Sequence, residues 1–219
     1  MAIDGPAGAG KSTVARDVAG RLGFVYVDTG AMYRAAALYG IENGYNLDDL
    51  GDIEKFIGAV KLRLERGEDG GQRVLLDGRD VTGRLREAAV AEGSSKVAVC
   101  RRVREAMVLL QREAAARNNV VMDGRDIGTV VLPCADLKIY LRASAETRAR
   151  RRFDEEREKG GAPVFDRILE DIRERDLRDS AREHSPLRQA EGAVVLDTDG
   201  LSREEAAERV IELWNARGN

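Results

Sequence analysis

The sequence predicts an α/β protein built on a five-stranded parallel sheet flanked by helices, and three observations carry that expectation. Five short apolar runs, at residues 2–3, 24–27, 120–122, 137–141 and 193–196, are each followed by a loop and then by helical spacing. That is the pattern of strands covered on both faces in a doubly wound sheet. Polar residues gather just past the runs, as Asp4, Asp28-Thr29, Asp123-Gly124-Arg125-Asp126 and Asp197-Thr198-Asp199, where open sheets of this kind bind their ligands. Finally, the first run passes straight into Gly5-Pro6-Ala7-Gly8-Ala9-Gly10-Lys11-Ser12 and then into a helix-like stretch at 13–21.

Taken in order, the first strand is short for a central strand, with only Met1, Ala2 and Ile3 before Asp4, against a usual length of about five to six residues. The second run leads into a helix at 31–39. Roughly ninety residues then precede the third run, far more than a crossover needs. Within them, 60–64 alternates in polarity, 67–71 reads as a turn, and 73–76 with Asp77-Gly78-Arg79 and Val81 follows, which predicts a small antiparallel hairpin unit. Helical sequence resumes at 87–116. After the fourth run, Ser144 caps a helix reaching about Lys159, which Gly160-Gly161 and Pro163 break before 165–178 resumes the spacing. Ser202 with Glu205 forms a capping box for a last helix ending near Trp214. Arg142 puts a positive charge just past the fourth run, where a small or acidic residue is expected.

The glycine-rich string matches the phosphate-binding loop G-x-x-x-x-G-K-[ST] at every fixed position. Its glycines let backbone N–H groups converge on an anion, Lys11 supplies a cation for β and γ phosphates, and Ser12 offers a hydroxyl to Mg²⁺. The helix that follows points its positive end at the same anion. A nucleoside triphosphate is the implied ligand, and a glycine turn without a ligand is the bland alternative. Asp123, at the end of an apolar strand, is placed to support Mg²⁺ through water, with a purely structural role in the turn as the alternative. Many of the arginines at 148–157 sit beside Asp154, Glu155, Glu156 and Glu158. They read either as a mobile lid over phosphates or as a solvated charged face.

Composition narrows the classes. The chain has 219 residues and a net charge of −3, which argues against a general nucleic-acid binder. Aromatics make up 5%, so aliphatic side chains must fill the core. Arginine outnumbers lysine, thirty to six, and its planar fork suits phosphate. No run of eighteen apolar residues occurs, and no charged, apolar and cleavable series opens the sequence. The expected location is therefore the cytoplasm, without a membrane anchor. Cys100 and Cys134 are expected to be reduced core thiols, and His184 a structural or solvent-exposed residue.

The segments Gly5 to Ser12, Asp28-Thr29-Gly30-Ala31-Met32-Tyr33-Arg34, Arg102-Val103-Arg104-Glu105, Asp123-Gly124-Arg125-Asp126-Ile127-Gly128-Thr129-Val130-Val131, and Arg175-Asp176-Leu177-Arg178-Asp179 with Arg182 together resemble bacterial cytidylate kinases, in order and across essentially the whole chain. The resemblance implies a P-loop kinase fold whose core occupies about 1–30, 92–147 and 175–219. It also implies an inserted monophosphate-binding subdomain at about 31–91 and a short lid at about 148–174. It implies a monomer that transfers the γ-phosphate of ATP to CMP or dCMP with Mg²⁺. ATP would be held by Gly5, Pro6, Ala7, Gly8, Ala9, Gly10, Lys11, Ser12, Thr13 and Arg151. Arg34, Arg125 and Arg182 would hold the acceptor phosphate with Thr29 nearby; Ser95, Arg104 and Asp126 would read cytosine; Arg175 and Asp179 would contact the sugar. Lys11, Arg125 and Arg182 would be the catalytic cations, and Ser12 and Asp123 the metal's protein partners. The choice of Ser95 over Ser94 rests on family spacing alone.

Rival readings stay open on the sequence: a kinase of the same fold acting on UMP, AMP or shikimate, a nucleotide-dependent switch without an acceptor, and an arginine-rich RNA binder, which the net charge disfavours.

Overall fold

The computed structural model describes residues 1–67 and 71–217. The chain divides into two compact units, one formed by Met1–Val25 with Asn119–Asn219 and the other by Tyr26–Asn118.

The first unit carries β1 (Ala2–Asp4), α1 (Lys11–Leu22), the opening residue of β2 (Val25–Asp28), β6 (Val120–Gly124), β7 (Lys138–Arg142), α6 (Ala145–Glu158), α7 (Phe165–Ala181), β8 (Val194–Asp197) and α8 (Arg203–Ala216). The strands form one parallel sheet in the order β2-β6-β1-β7-β8, as the apolar runs predicted. Every residue of β1 is buried, and the strand pairs with β6 and β7 on its two sides, Asp4 lying opposite Gly124 and Tyr140. Pairing extends past its three residues: the N–H of Ala2 donates to Leu137 O and that of Met122 to Met1 O. Arg142, unexplained by the sequence, lies opposite Asp197 in the β7–β8 register and donates to its carboxylate at 2.9 Å. This exposed pair is a cross-strand contact of modest energy. Ser144 caps α6 by accepting from the N–H of Thr147, and Ser202 and Glu205 form the expected capping box on α8.

The second unit contains α2 (Thr29–Glu42), α3 (Leu50–Ile57), β3 (Leu62–Arg66), β4 (Gln72–Leu76), β5 (Arg79–Asp80), a 3₁₀ turn at Thr82–Arg86, α4 (Ala88–Val97) and α5 (Arg101–Ala116). The hairpin unit is an antiparallel sheet of three strands, β3-β4-β5. Of the expected 67–71 turn, residues 68–70 lie outside the described residues. Met32, Leu38, Ile53, Phe56, Leu76 and Met107 centre the core. Helices α2 and α4 pack through small residues, a Cβ on Gly93 standing 3.2 Å from Ala37 Cβ; Leu47, in the loop after α2, closes over both glycines, 2.8 Å from a Cβ on Gly93 and 2.6 Å from one on Gly40. Neither position has room for a larger side chain.

Two features depart from the expected elements. Helix α3 has no counterpart in them; Asp49 caps it by accepting from the N–H of Asp52, and Ile53, Phe56 and Ile57 are its buried face. The helical stretch expected at 87–116 is two helices, interrupted where the N–H of Cys100 donates to Val97 O and the guanidinium of Arg104 donates to Ala98 O at 3.2 Å. Neither cysteine is in a disulfide, and Cys100 is buried as expected, but Cys134 is exposed. It is not a core thiol, because it follows Pro133 in the turn leading to β7 rather than lying on an element. Among the described residues no helix is long and apolar enough to cross a membrane.

Candidate functional site

The phosphate-binding loop adopts backbone conformations that only glycine takes without strain, with φ at 148° for Gly5, 77° for Gly8 and 90° for Gly10. At Gly5 a Cβ would stand 2.1 Å from the carbonyl oxygen of Leu141, so the loop leaves β1 pressed against the backbone of β7. Gly5→Ala is therefore expected to cost at least about 1–3 kcal/mol through backbone strain alone. A lowered melting temperature together with weakened ATP binding checks this, and a variant of unchanged stability contradicts it. Gly10 caps α1 in a left-handed conformation without a side-chain cap, which leaves the first-turn N–H groups for an anion. Thr13, in that first turn, is exposed.

Lys11 is buried, and its ammonium donates to Pro6 O at 2.7 Å. Burial, with Arg125 nearby, lowers its pKa well below the ordinary lysine value, while Asp123 and Asp179 oppose that shift. Ser12 Oγ donates to Asp123 Oδ2 at 2.9 Å. This pairing across 111 residues joins the loop's hydroxyl to the carboxylate at the end of β6. A pair of hard oxygen donors beside a phosphate loop suits Mg²⁺.

Asp179, buried on α7, organises the arginines. It accepts from Arg125 Nε at 2.9 Å through Oδ2 and from Arg182 through Oδ1. Burial works to raise the Asp179 pKa, but Arg125, Arg182 and Arg175 outweigh it and hold it down to about 2. Lys11, Arg125, Arg175, Asp179 and Arg182 thus form one electrostatic cluster around the loop. Asp126 is buried, and its carbonyl accepts from the N–H groups of Val130 and Val131 in a single π-helical turn at Ile127–Val131.

The arginines of α6 separate by face. Arg148 is buried; it donates to Ala143 O, to Ala7 O in the loop at 3.1 Å and to both carboxylate oxygens of Asp176. Arg151 donates to Thr198 O at 2.6 Å, and Thr198 Oγ1 in turn donates to Ala9 O at 3.4 Å. Arg152 and Arg157 pair with Glu156 and Asp154 on the surface, and Arg150 lies 4.7 Å from the centre of the Phe165 ring. The solvated-face reading therefore holds for Arg152 and Arg157. Arg148, Asp176 and Thr198 support the loop, a role that the sequence did not single out for any of them; the 148/151 spacing, three apart on one helical face, was the available signal.

In the second unit, Asp28 caps α2 by accepting from the N–H of Ala31 and also accepts from Arg34 Nη2 at 2.8 Å. Gln72 of β4 holds the backbone of Asp28 from both sides, accepting from its N–H at 2.9 Å and donating to its carbonyl at 3.2 Å. Thr29 is buried at the start of α2. Arg104 is buried, with its guanidinium carbon 5.5 Å from the centre of the Tyr33 ring. Ser94 and Ser95 are both buried and both donate to the carbonyl three residues back, Ala91 O and Glu92 O. Nothing in those contacts distinguishes the two serines. Within this unit the structure joins Arg34 to Asp28 and Arg104 to Tyr33, while the hydroxyl of Ser95 is turned to its own helix.

A family model described as cytidylate kinase matches residues 1–216. A cytidylate kinase of Caldicellulosiruptor bescii is 46% identical over 98% of this chain and 94% of its own length. One of Carboxydothermus hydrogenoformans is 47% identical over 97% and 96%, and one of Caldanaerobacter subterraneus 49% identical over 97% and 92%. Among solved structures, a shikimate kinase of Bacteroides thetaiotaomicron aligns at 18% identity with a TM-score of 0.47, over 98% of this chain and 96% of that one.

Proposed function

Because the chain belongs to the cytidylate kinase family, we propose that it transfers the γ-phosphate of ATP to CMP or dCMP, giving ADP and CDP or dCDP. The observation that carries this reading is the gathering of Lys11, Arg125, Arg175 and Arg182 around Asp179, beside the Ser12–Asp123 pair. Two polyanions brought to reacting distance repel each other strongly in a water-poor site, so fixed cations must offset that repulsion. Phosphoryl transfer through a loose transition state needs positioning and charge neutralisation more than covalent help. This cluster is built for that work.

In detail, the N–H groups of the loop from Gly5 to Thr13 hold the ATP phosphates. Arg151, fixed to Thr198, adds charge on their flank. Arg34, Arg125 and Arg182, with Thr29, hold the acceptor phosphate; Arg175 and Asp179 meet the sugar; Ser95, Arg104 and Asp126 read the base. Ser12 directly, and Asp123 through water, would hold Mg²⁺. When bound, it neutralises charge on the β and γ phosphate oxygens. The same reading makes the protein a monomer of the cytoplasm acting on small nucleotides. Its domain division is a kinase core, a monophosphate-binding insertion and a short lid.

Initial rates with CMP, dCMP, UMP and AMP, measured side by side, test the assignment. CMP and dCMP are expected to be faster, and equal rates for UMP or AMP would overturn the base assignment. Asp126→Ala sharpens the test. A carboxylate accepts from the cytosine amine but faces an acceptor in uracil, and an unpaired buried group costs about 1–3 kcal/mol. The CMP/UMP preference is expected to fall by about tenfold while the KM for ATP changes little. An unchanged ratio removes Asp126 from base reading.

A further inference from the structure

The buried carboxylate of Asp4 has no part in the chemistry above, yet it connects the two halves of it. Asp4 ends β1 and immediately precedes Gly5, the first residue of the phosphate loop. Its Oδ1 accepts from the N–H of Ile127 at 2.8 Å and its Oδ2 from the N–H of Gly128 at 2.7 Å. Those are the first two N–H groups of the π-helical turn at Ile127–Val131. The first N–H groups of any helical turn lack a partner within it. One carboxylate therefore satisfies both, and the two residues just before that turn are Arg125 and Asp126.

The space is closed as well as bonded. A Cβ on Gly128 would stand 3.1 Å from Ala190 Cβ and 3.3 Å from Asp4 Oδ2, so the turn sits against the carboxylate without a side chain between them. Asp4 is 2% exposed. A carboxylate at that depth is held by charge-assisted bonds, and losing one of them leaves a buried polar group unpaired.

We propose that Asp4 is a positioning residue that fixes Arg125 and Asp126 for the acceptor nucleotide by clamping the turn that follows them. The proposal rests on the kinase reading above and adds to it a residue that touches neither substrate. Burial raises the Asp4 pKa to about 6 and so makes the charge costly there; the bonds from Gly128 and Ile127 are the largest effects opposing the rise, Asp126 adds to it and Lys11 opposes it.

The test is Asp4→Asn, of nearly the same shape, which turns an NH₂ toward one of the two N–H donors. The expected result is a KM for CMP raised about tenfold or more and a CMP/UMP preference reduced severalfold, with the KM for ATP within about threefold of wild type. A packing defect beside Gly5 would instead weaken ATP and CMP alike and leave the base preference intact, and that result overturns the proposal. If Asp4→Asn does not fold, amide hydrogen exchange on the wild-type protein decides. A ligand that binds only the clamped turn suppresses its opening in proportion to its saturation. Exchange at Ile127 and Gly128 is therefore expected to slow by about tenfold or more at saturating CMP, and identical rates with and without CMP overturn the clamp. A wild-type protein without preference for CMP would refute the kinase assignment instead, before any variant is made.

Discussion

Lys11→Ala is expected to lower kcat by about 10²–10³-fold while the protein remains folded, the usual effect of removing one preorganised charge from a transition state. The structure says why the two effects separate. The ammonium is buried, bonded to Pro6 O and crowded by Arg125, and burial drives its pKa well below the ordinary value. It therefore sits at a cost to stability, offset in part by Asp123 and Asp179. Removing it relieves that cost and leaves a small cavity, so the melting temperature should stay near the wild-type value. Turnover at saturating ATP and CMP, read beside a thermal melt, checks both halves. A variant with full turnover would take the phosphate loop out of the mechanism.

Asp179→Ala is expected to cost about 3–5 kcal/mol of stability, because it strips the carboxylate from the buried Arg182 and the half-buried Arg125 at once. Arg125 and Arg182 meet on that one side chain, and without it two like charges lose their shared counter-ion. The pH dependence follows from the direction of the shift. The folded pKa is held down to about 2, below the ordinary aspartate value of 3.8. The stabilisation is therefore fully present above about pH 4 and is lost as the pH falls toward 2. Urea unfolding at pH 7 should show the full gap between wild type and variant, and at pH 3 a smaller one. A loss below about 1 kcal/mol at pH 7 would mean that the arginines are solvated without Asp179. The sugar contact that the family resemblance gives to Asp179 must also be made by a group whose two oxygens already hold arginines.

The parts of this site that could be read from the sequence are those set by local spacing. Gly5 to Ser12 is a contiguous string, and the cap at Ser144, the breaker at Gly160 and the capping box at Ser202 act within a few residues. What could not be read depends on distant partners. Arg142 became intelligible only when β8 brought Asp197 opposite it. The interruption between α4 and α5 has no glycine or proline at 98–100; the guanidinium of Arg104 ends the first helix from six residues away. Helix α3 is short and follows the polar residues Asn46, Asp48 and Asp49, which read as loop, although Ile53, Phe56 and Ile57 already had helical spacing. Among the arginines of α6, the number of positive charges was plain, but which of them turned inward was decided by packing against Ala7 and Asp176.

The tight approach at Gly93 bears on how an acceptor would be met. With Ala37 and Leu47 closed over that glycine, α4 lies against α2 with no room for a side chain between them. Arg34 on one and Ser95 on the other are thus mounted on a single stiff bracket. If the two hold the acceptor as proposed, their separation is set before it binds, so the nucleotide would give up little affinity to assembling that template.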